Sequence, residues 1–182
     1  PSTYQYTVSI VPQYYTRLSQ EEEVTEKVSE ILTLLHTDQC ETEYEKIKVI
    51  YDYVCSHIQY DRVHSGNPHH KLRSTAYAAL IRKTATCQGY CVTLYRLLKE
   101  AGISCRIITG AARSGTKEEF HAWNIVQLDG KYYNLDATWD CGLKEYQCFL
   151  KGCSDFTDHT PDPAFLEKNF TQQYPMAEYS AL

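Results

Sequence analysis

At 182 residues, with a net charge of −5 and a pI near 5.8, the chain is long enough to bury a proper core and too acidic for nucleic acid to be its main partner. Its mean hydropathy is −0.47, and no apolar run approaches the length of a membrane span, so insertion into a membrane is not expected. Eight cysteines invite a four-disulfide reading for a secreted chain, but no Cys-x-x-Cys pair occurs, which argues against a structural zinc site or a thioredoxin-type redox pair.

In chain order, Tyr4, Tyr6, Val8 and Ile10 alternate loosely and predict a strand within residues 1–18. Ser19 to Glu22 fits a capping box opening a helix whose face carries Val24, Val28, Ile31, Leu32 and Leu35. Thr42 to Glu45 is a second such box, followed by the stripe Ile47, Ile50, Tyr51, Val54 and Ile58. A Gly/Pro/His-rich loop covers 61–71, where His64, His69 and His70 fit a polar loop better than a metal site. A short helix is expected over 74–81 and a longer one from Cys87 to Ala101, closed by Gly102 as a C′ glycine. Cys105–Thr109 reads as a strand, 110–119 as a polar loop, Tyr146–Leu150 as a further strand, and 163–169 as helical. Helices first and a mostly antiparallel sheet afterwards make this an α+β chain, expected to form one domain over 1–182. Pro1 stands where an initiator Met would, so a trimmed N-terminus is expected too.

The most informative stretch runs from His121 to Asp136. Two strand-like runs flank Asp129-Gly130, a dipeptide suited to a type I′ turn. That turn sets Leu128 opposite Lys131, and so Trp123 opposite Asp136. Alternation then places His121, Trp123 and Asp136 on one face, with Asp136 a diagonal neighbour of His121. Asp140 occupies the other diagonal if the strand runs that far, so spacing alone leaves two carboxylates open.

A histidine with an oriented carboxylate lacks only a nucleophile. Cys87, in Thr86-Cys87-Gln88-Gly89-Tyr90, stands at a predicted helix start, where unpaired N–H groups favour a thiolate. An imidazolium beside it would stabilise that thiolate further. The Cys87 N–H is placed to donate to an oxyanion, and Gly89 allows close backbone approach. Each residue also has a plain structural explanation: a cysteine at a helix start is usually a small buried hydrophobe, as Cys91 should be, and a strand histidine is usually a half-buried polar group. Taken together, in the order Cys, His, Asp, they favour thiol catalysis.

These segments resemble the transglutaminase-like superfamily, in particular its bacterial members. The blocks that carry the resemblance are Cys87-Gln88-Gly89-Tyr90, His121-Ala122-Trp123-Asn124 and Leu135-Asp136-Ala137-Thr138-Trp139-Asp140, with Ala76–Leu80, Gly102–Arg106 and Asp129–Asn134 between them. They cover about residues 40–160. The resemblance implies a papain-like fold with Cys87 as nucleophile, His121 as base and Asp136 as the orienting carboxylate. It also implies a protein or peptide substrate, and no cofactor or metal.

The resemblance leaves the reaction open, because fold does not determine it. Such a triad makes a thioester from an amide and passes the acyl group to water (protease or amidase) or to an amine (transglutaminase). Some relatives serve as interaction domains instead, for which exposed aromatics such as Tyr90 or Trp123 would matter. Hydrolysis ranks first, since so short a chain has no obvious second domain to exclude water. A secreted or cell-surface bacterial setting is the expected one.

Overall fold

The computed structural model describes residues 5–181. Two amphipathic helices open it. Helix α1 (Leu18–Leu34) buries Val24, Val28, Ile31 and Leu32, and α2 (Glu43–His57) buries Ile47, Ile50, Tyr51 and Val54. Helix α1 is capped by Arg17, two residues ahead of the expected Ser19, with the Arg17 N–H donating to Gln20 Oε1 at 2.9 Å. Helix α2 starts as its sequence predicts: Thr42 Oγ1 accepts from the Glu45 N–H at 3.1 Å, although Glu45 itself reaches back to the Glu41 N–H.

A two-stranded parallel pair, β1 (Gln59–Tyr60) with β2 (Thr84–Ala85), brackets the 61–71 loop, a 3₁₀ turn over Lys71–Ser74 and the short α3 (Ala76–Leu80). Helix α4 (Cys87–Glu100) follows, with Leu94, Leu97 and Leu98 wholly buried. It ends as Gly102 predicts. With φ at +81°, Gly102 lets its own N–H reach Lys99 O and the Ile103 N–H reach Leu98 O at 2.8 Å, a Schellman closure.

The main sheet has the order β5-β4-β3-β6, built from β3 (Cys105–Ser114), β4 (Lys117–Leu128), β5 (Lys131–Leu135) and β6 (His159–Pro161), all neighbours antiparallel. The β4–β5 turn is the one the sequence specifies: Leu128 pairs with Lys131, with φ of 51° at Asp129 and 78° at Gly130. From His121 to Val126 every β4 residue is buried, because both faces of the strand are covered. On one side α1, α2 and α4 pack against Val126, Leu128 and Leu135. On the other, Trp123, Ile108 and Ile125 pack under the C-terminal segment through Phe156, Phe165, Phe170 and Tyr174. Apolar burial on both faces is the main stabilising contribution here.

Three expectations are corrected. Residues 5–17 form no strand, and Tyr6, Val8 and Ile10 are exposed, because no sheet edge receives them; Tyr4 lies outside the described residues. Residues 110–119 are not a loop. Strands β3 and β4 continue through them to a tight turn at Gly115, and β6 pairs along the outer edge of β3. A Cβ at Gly110 would collide with the backbone of Thr160 and Pro161, so glycine there permits the pairing rather than breaking the strand. Residues 146–150 form no strand either; Tyr146 and Phe149 turn inward to pack on Tyr51, and one isolated bridge joins Asn134 to Lys151.

Candidate active site

Cys87 is the first residue of α4, delivered there by β2, whose pairing with β1 fixes the approach of the chain. The helix start is held close to the segment before α3. The Thr86 N–H donates to Arg73 O at 3.0 Å, and a Cβ on Gly89 would stand 2.7 Å from both Arg73 O and the Ala85 Cβ. The close approach that Gly89 permits is therefore between two parts of the chain. Thr86 supplies no side-chain cap, so the first N–H groups of α4 gain no hydroxyl acceptor from it. Cys87 itself is half-buried.

His121 lies where β4 passes from its exposed outer half to its buried inner half. Strand β5 ends at Leu135, and Asp136 is the N-cap of a single helical turn, α5 (Ala137–Asp140). Its Oδ1 accepts from the Thr138 N–H at 2.9 Å and the Trp139 N–H at 3.3 Å. Its Oδ2 lies 2.7 Å from His121 Nε2 and 3.1 Å from Nε2 of His159, and the Asp136 side chain has no exposed surface. Burial alone would raise the Asp136 pKa, but hydrogen bonds from the two rings, with the charge on His121, hold it below the ordinary carboxylate value.

Burial alone would likewise lower the His121 pKa. The hydrogen bond to Asp136, its negative charge and the nearby Cys87 thiol outweigh that effect and push it up to about 9. With Nε2 directed at Asp136, Nδ1 is the ring nitrogen left without that partner. Cys87 and His121 together line a cleft of about 190 Å³ with Tyr60, Glu119, Phe120 and Trp139. Phe120 is largely exposed at its lip.

Asp140, the alternative carboxylate, lies elsewhere. Helix α5 turns it away from the sheet face, and it accepts from Tyr51 Oη at 2.7 Å and from the N–H groups of Gln147 and Cys148. It ties α2 to the loop after α5.

His159 was not singled out from the sequence. It sits in what reads as an irregular tail, and only the pairing of β6 with β3 brings it to Asp136. Tyr90 and Trp123, offered as exposed aromatics, are both buried: Tyr90 donates to Ile58 O at 2.6 Å and Trp123 Nε1 to Asn134 Oδ1 at 3.0 Å. All eight cysteines are free thiols, contrary to the four-disulfide reading. Burial raises the pKa of Cys91 well above that of an ordinary thiol and pushes Cys105 up to about 12, so neither suits nucleophilic work.

Among the described residues, two groups bring three metal-capable side chains within 4.8 Å of one another: Asp61, His64 and His70 on the loop after β1, and His121, Asp136 and His159. In the first, Asp61 already pairs with His64 Nδ1 at 2.9 Å. In the second, both Asp136 oxygens are occupied by protein donors. Among the described residues no helix is long and apolar enough to cross a membrane.

A family model described as the transglutaminase-like superfamily matches residues 21–137. The human kyphoscoliosis peptidase is 28% identical over 138 residues, which are 71% of this chain and 20% of that protein, so the chain spans about a fifth of this relative's length. The mouse protein of the same name is 29% identical over 128 residues, 66% of this chain and 18% of its own length. Among solved structures, a TGase superposes with a TM-score of 0.61 at 20% identity, covering 79% of this chain and 39% of its own. A candidate cysteine protease from Cytophaga hutchinsonii superposes with a TM-score of 0.53 at 18% identity, covering 78% and 41%. The fold they share with this chain is the α+β, papain-like transglutaminase core.

Proposed function

Because the chain belongs to the transglutaminase-like superfamily, we propose that it is a thiol enzyme cleaving amide or peptide bonds, with Cys87 as nucleophile, His121 as base and Asp136 as orienting carboxylate. The observation that carries this is the 2.7 Å contact between His121 Nε2 and Asp136 Oδ2, on a ring that shares an open cleft with Cys87. The Cys87 thiolate adds to the amide carbonyl, and the oxyanion that forms is met by N–H groups at the start of α4. The C–N bond then breaks as His121 gives its proton to the departing amine, leaving a thioester on Cys87. His121 next takes a proton from water as the water oxygen attacks that thioester. The acid is released and the thiolate restored. Throughout, Asp136 holds the ring in one tautomer and stabilises the imidazolium.

Hydrolysis is favoured over transfer to an amine because the cleft is open and carries polar side chains, among them Ser114, Lys117 and Glu119, so water has access to the thioester. Substrates of a protein or peptide nature suit such a cleft. The test is turnover of glutamine-containing peptides with and without cadaverine. Ammonia release or backbone cleavage that vanishes in Cys87→Ala supports hydrolysis. Amine incorporation that vanishes in the same variant makes the protein a transglutaminase, and partner binding indifferent to Cys87→Ala, without turnover, makes it an interaction domain.

A further inference from the structure

Asp136 is a carboxylate with all four of its acceptor positions used. Oδ1 takes two backbone N–H groups, from Thr138 and Trp139, and Oδ2 takes His121 and His159. Its side chain has no contact with solvent, and that of His159 is 1% exposed, so no water can stand in for a missing donor. The two backbone donors fix only one oxygen. About that anchor the carboxylate plane is still free to tilt, and His121 alone cannot oppose the tilt, since its ring would follow.

We propose that His159 is a positioning residue of this site: its neutral ring donates Nε2–H to Asp136 Oδ2 and locks the carboxylate plane, and thereby the His121 ring, against Cys87. The inference rests on the thiol-enzyme reading given above. His159 itself has little freedom. It stacks on Phe156 at 3.9 Å and 12°, meets the Trp123 ring edge-on at 5.1 Å, and lies 4.5 Å from the Trp139 ring. Its other nitrogen, Nδ1, is buried without a hydrogen-bond partner. A proton there would be a buried, unanswered donor beside aromatic rings, whereas a bare lone pair costs less. The proton therefore belongs on Nε2, facing the carboxylate. Strand β6, short as it is, holds this ring in place: His159 pairs with Ala112 of β3, and Ala112 lines the Cys87 cleft.

The test needs no substrate. In ¹⁵N-histidine-labelled native protein, the His159 ring should appear at neutral pH as the neutral Nε2–H tautomer. His159→Phe keeps the ring shape and removes the donor, while His159→Gln places an amide N–H near Nε2. Iodoacetamide should label Cys87 about tenfold more slowly in the Phe variant and within about threefold of native in the Gln variant. The Phe variant should melt a few degrees below native, because it leaves a buried acceptor unanswered, and the Gln variant closer to native; if the Phe variant fails to fold, the tautomer and the Gln variant decide. An Nδ1–H or doubly protonated His159 overturns the proposal. So does a folded Phe variant that labels at the native rate, or a Gln variant well over threefold slower than native. A native Cys87 no faster than an ordinary thiol would instead sink the thiol-enzyme reading, and the tautomer would still report on the hydrogen bond.

Discussion

His121 Nε2 meets Asp136 Oδ2 at 2.7 Å although the strand leading to Asp136 has already ended one residue earlier, at Leu135. The carboxylate is held instead as a helix cap, with one oxygen on the N–H groups of α5 and the other on imidazole rings. The cap is also the carboxylate proposed to orient His121, so on that reading changes at Asp136 act on stability and chemistry together.

Asp136→Ala should therefore lower stability by about 3 kcal/mol, because it leaves two buried rings and two backbone donors without their acceptor. Cys87→Ala should change stability by less than about 1 kcal/mol, the ordinary effect of a substitution on a half-exposed side chain. Denaturant unfolding measures both, and equal losses would mean that Asp136 is not the structural hub described.

In turnover the ranking inverts. Cys87→Ala and His121→Ala should each abolish amide cleavage, and their effects should not add, since the groups act as a unit. Asp136→Asn should cost about 10⁴-fold, less than either, because nucleophile and base remain while the ring loses its tautomer control. Single-turnover assays on the three variants and the double variant give the ranking. Residual activity in Cys87→Ala matching that of the native protein removes Cys87 from the chemistry.

The pH dependence follows from His121. Its folded pKa, pushed up to about 9, lies above its ordinary value of 6.5. The stability it contributes is thus fully present below about 6.5 and lost as pH rises through about 9. The advantage of native protein over His121→Gln in chemical denaturation should be largest near about pH 6 and gone by about pH 10. Turnover should fall over the same upper range as the imidazolium loses its proton. An advantage that stays constant across the range would mean that the ring carries no such shift.

Asp140 supplies a control. Tyr51→Phe removes the buried hydroxyl that donates to it at 2.7 Å and should cost about 1–3 kcal/mol. The rate of Cys87 alkylation should be unchanged, because this bond anchors α2 and never reaches His121. A large change in alkylation with little loss of stability would return Asp140 to the list of working carboxylates.

Gly89→Ala should destabilise the protein by about 1–3 kcal/mol and disturb Cys87 as well. The added methyl meets Arg73 O and Ala85 Cβ at 2.7 Å, and the carbonyl, being backbone, cannot swing aside. Thermal melting and the Cys87 labelling rate should fall together; a variant as stable as native would show that the α4 start has room to move.

The sequence by itself determined whatever depends on local spacing. The type I′ turn at Asp129-Gly130 fixes the β4–β5 register by chain chemistry alone, and the helical stripes of α1, α2 and α4 follow from a period that needs no distant partner. Those two facts placed His121 and Asp136 within reach and Cys87 at a helix start. Only the tertiary structure decided what depends on distant partners. Residues 5–10 alternate like a strand and remain unpaired, since alternation without a neighbour gains no hydrogen bonds; residues 110–112 look like a loop yet pair on both edges. Asp136 and Asp140 were equivalent on paper because both assumed a continuing strand, and the one-turn helix α5 broke the tie by rotating one of them toward Tyr51. His159 reaches Asp136 across 23 residues of sequence through β6, a contact that no periodicity encodes because it arises only when the outer edge of β3 is filled.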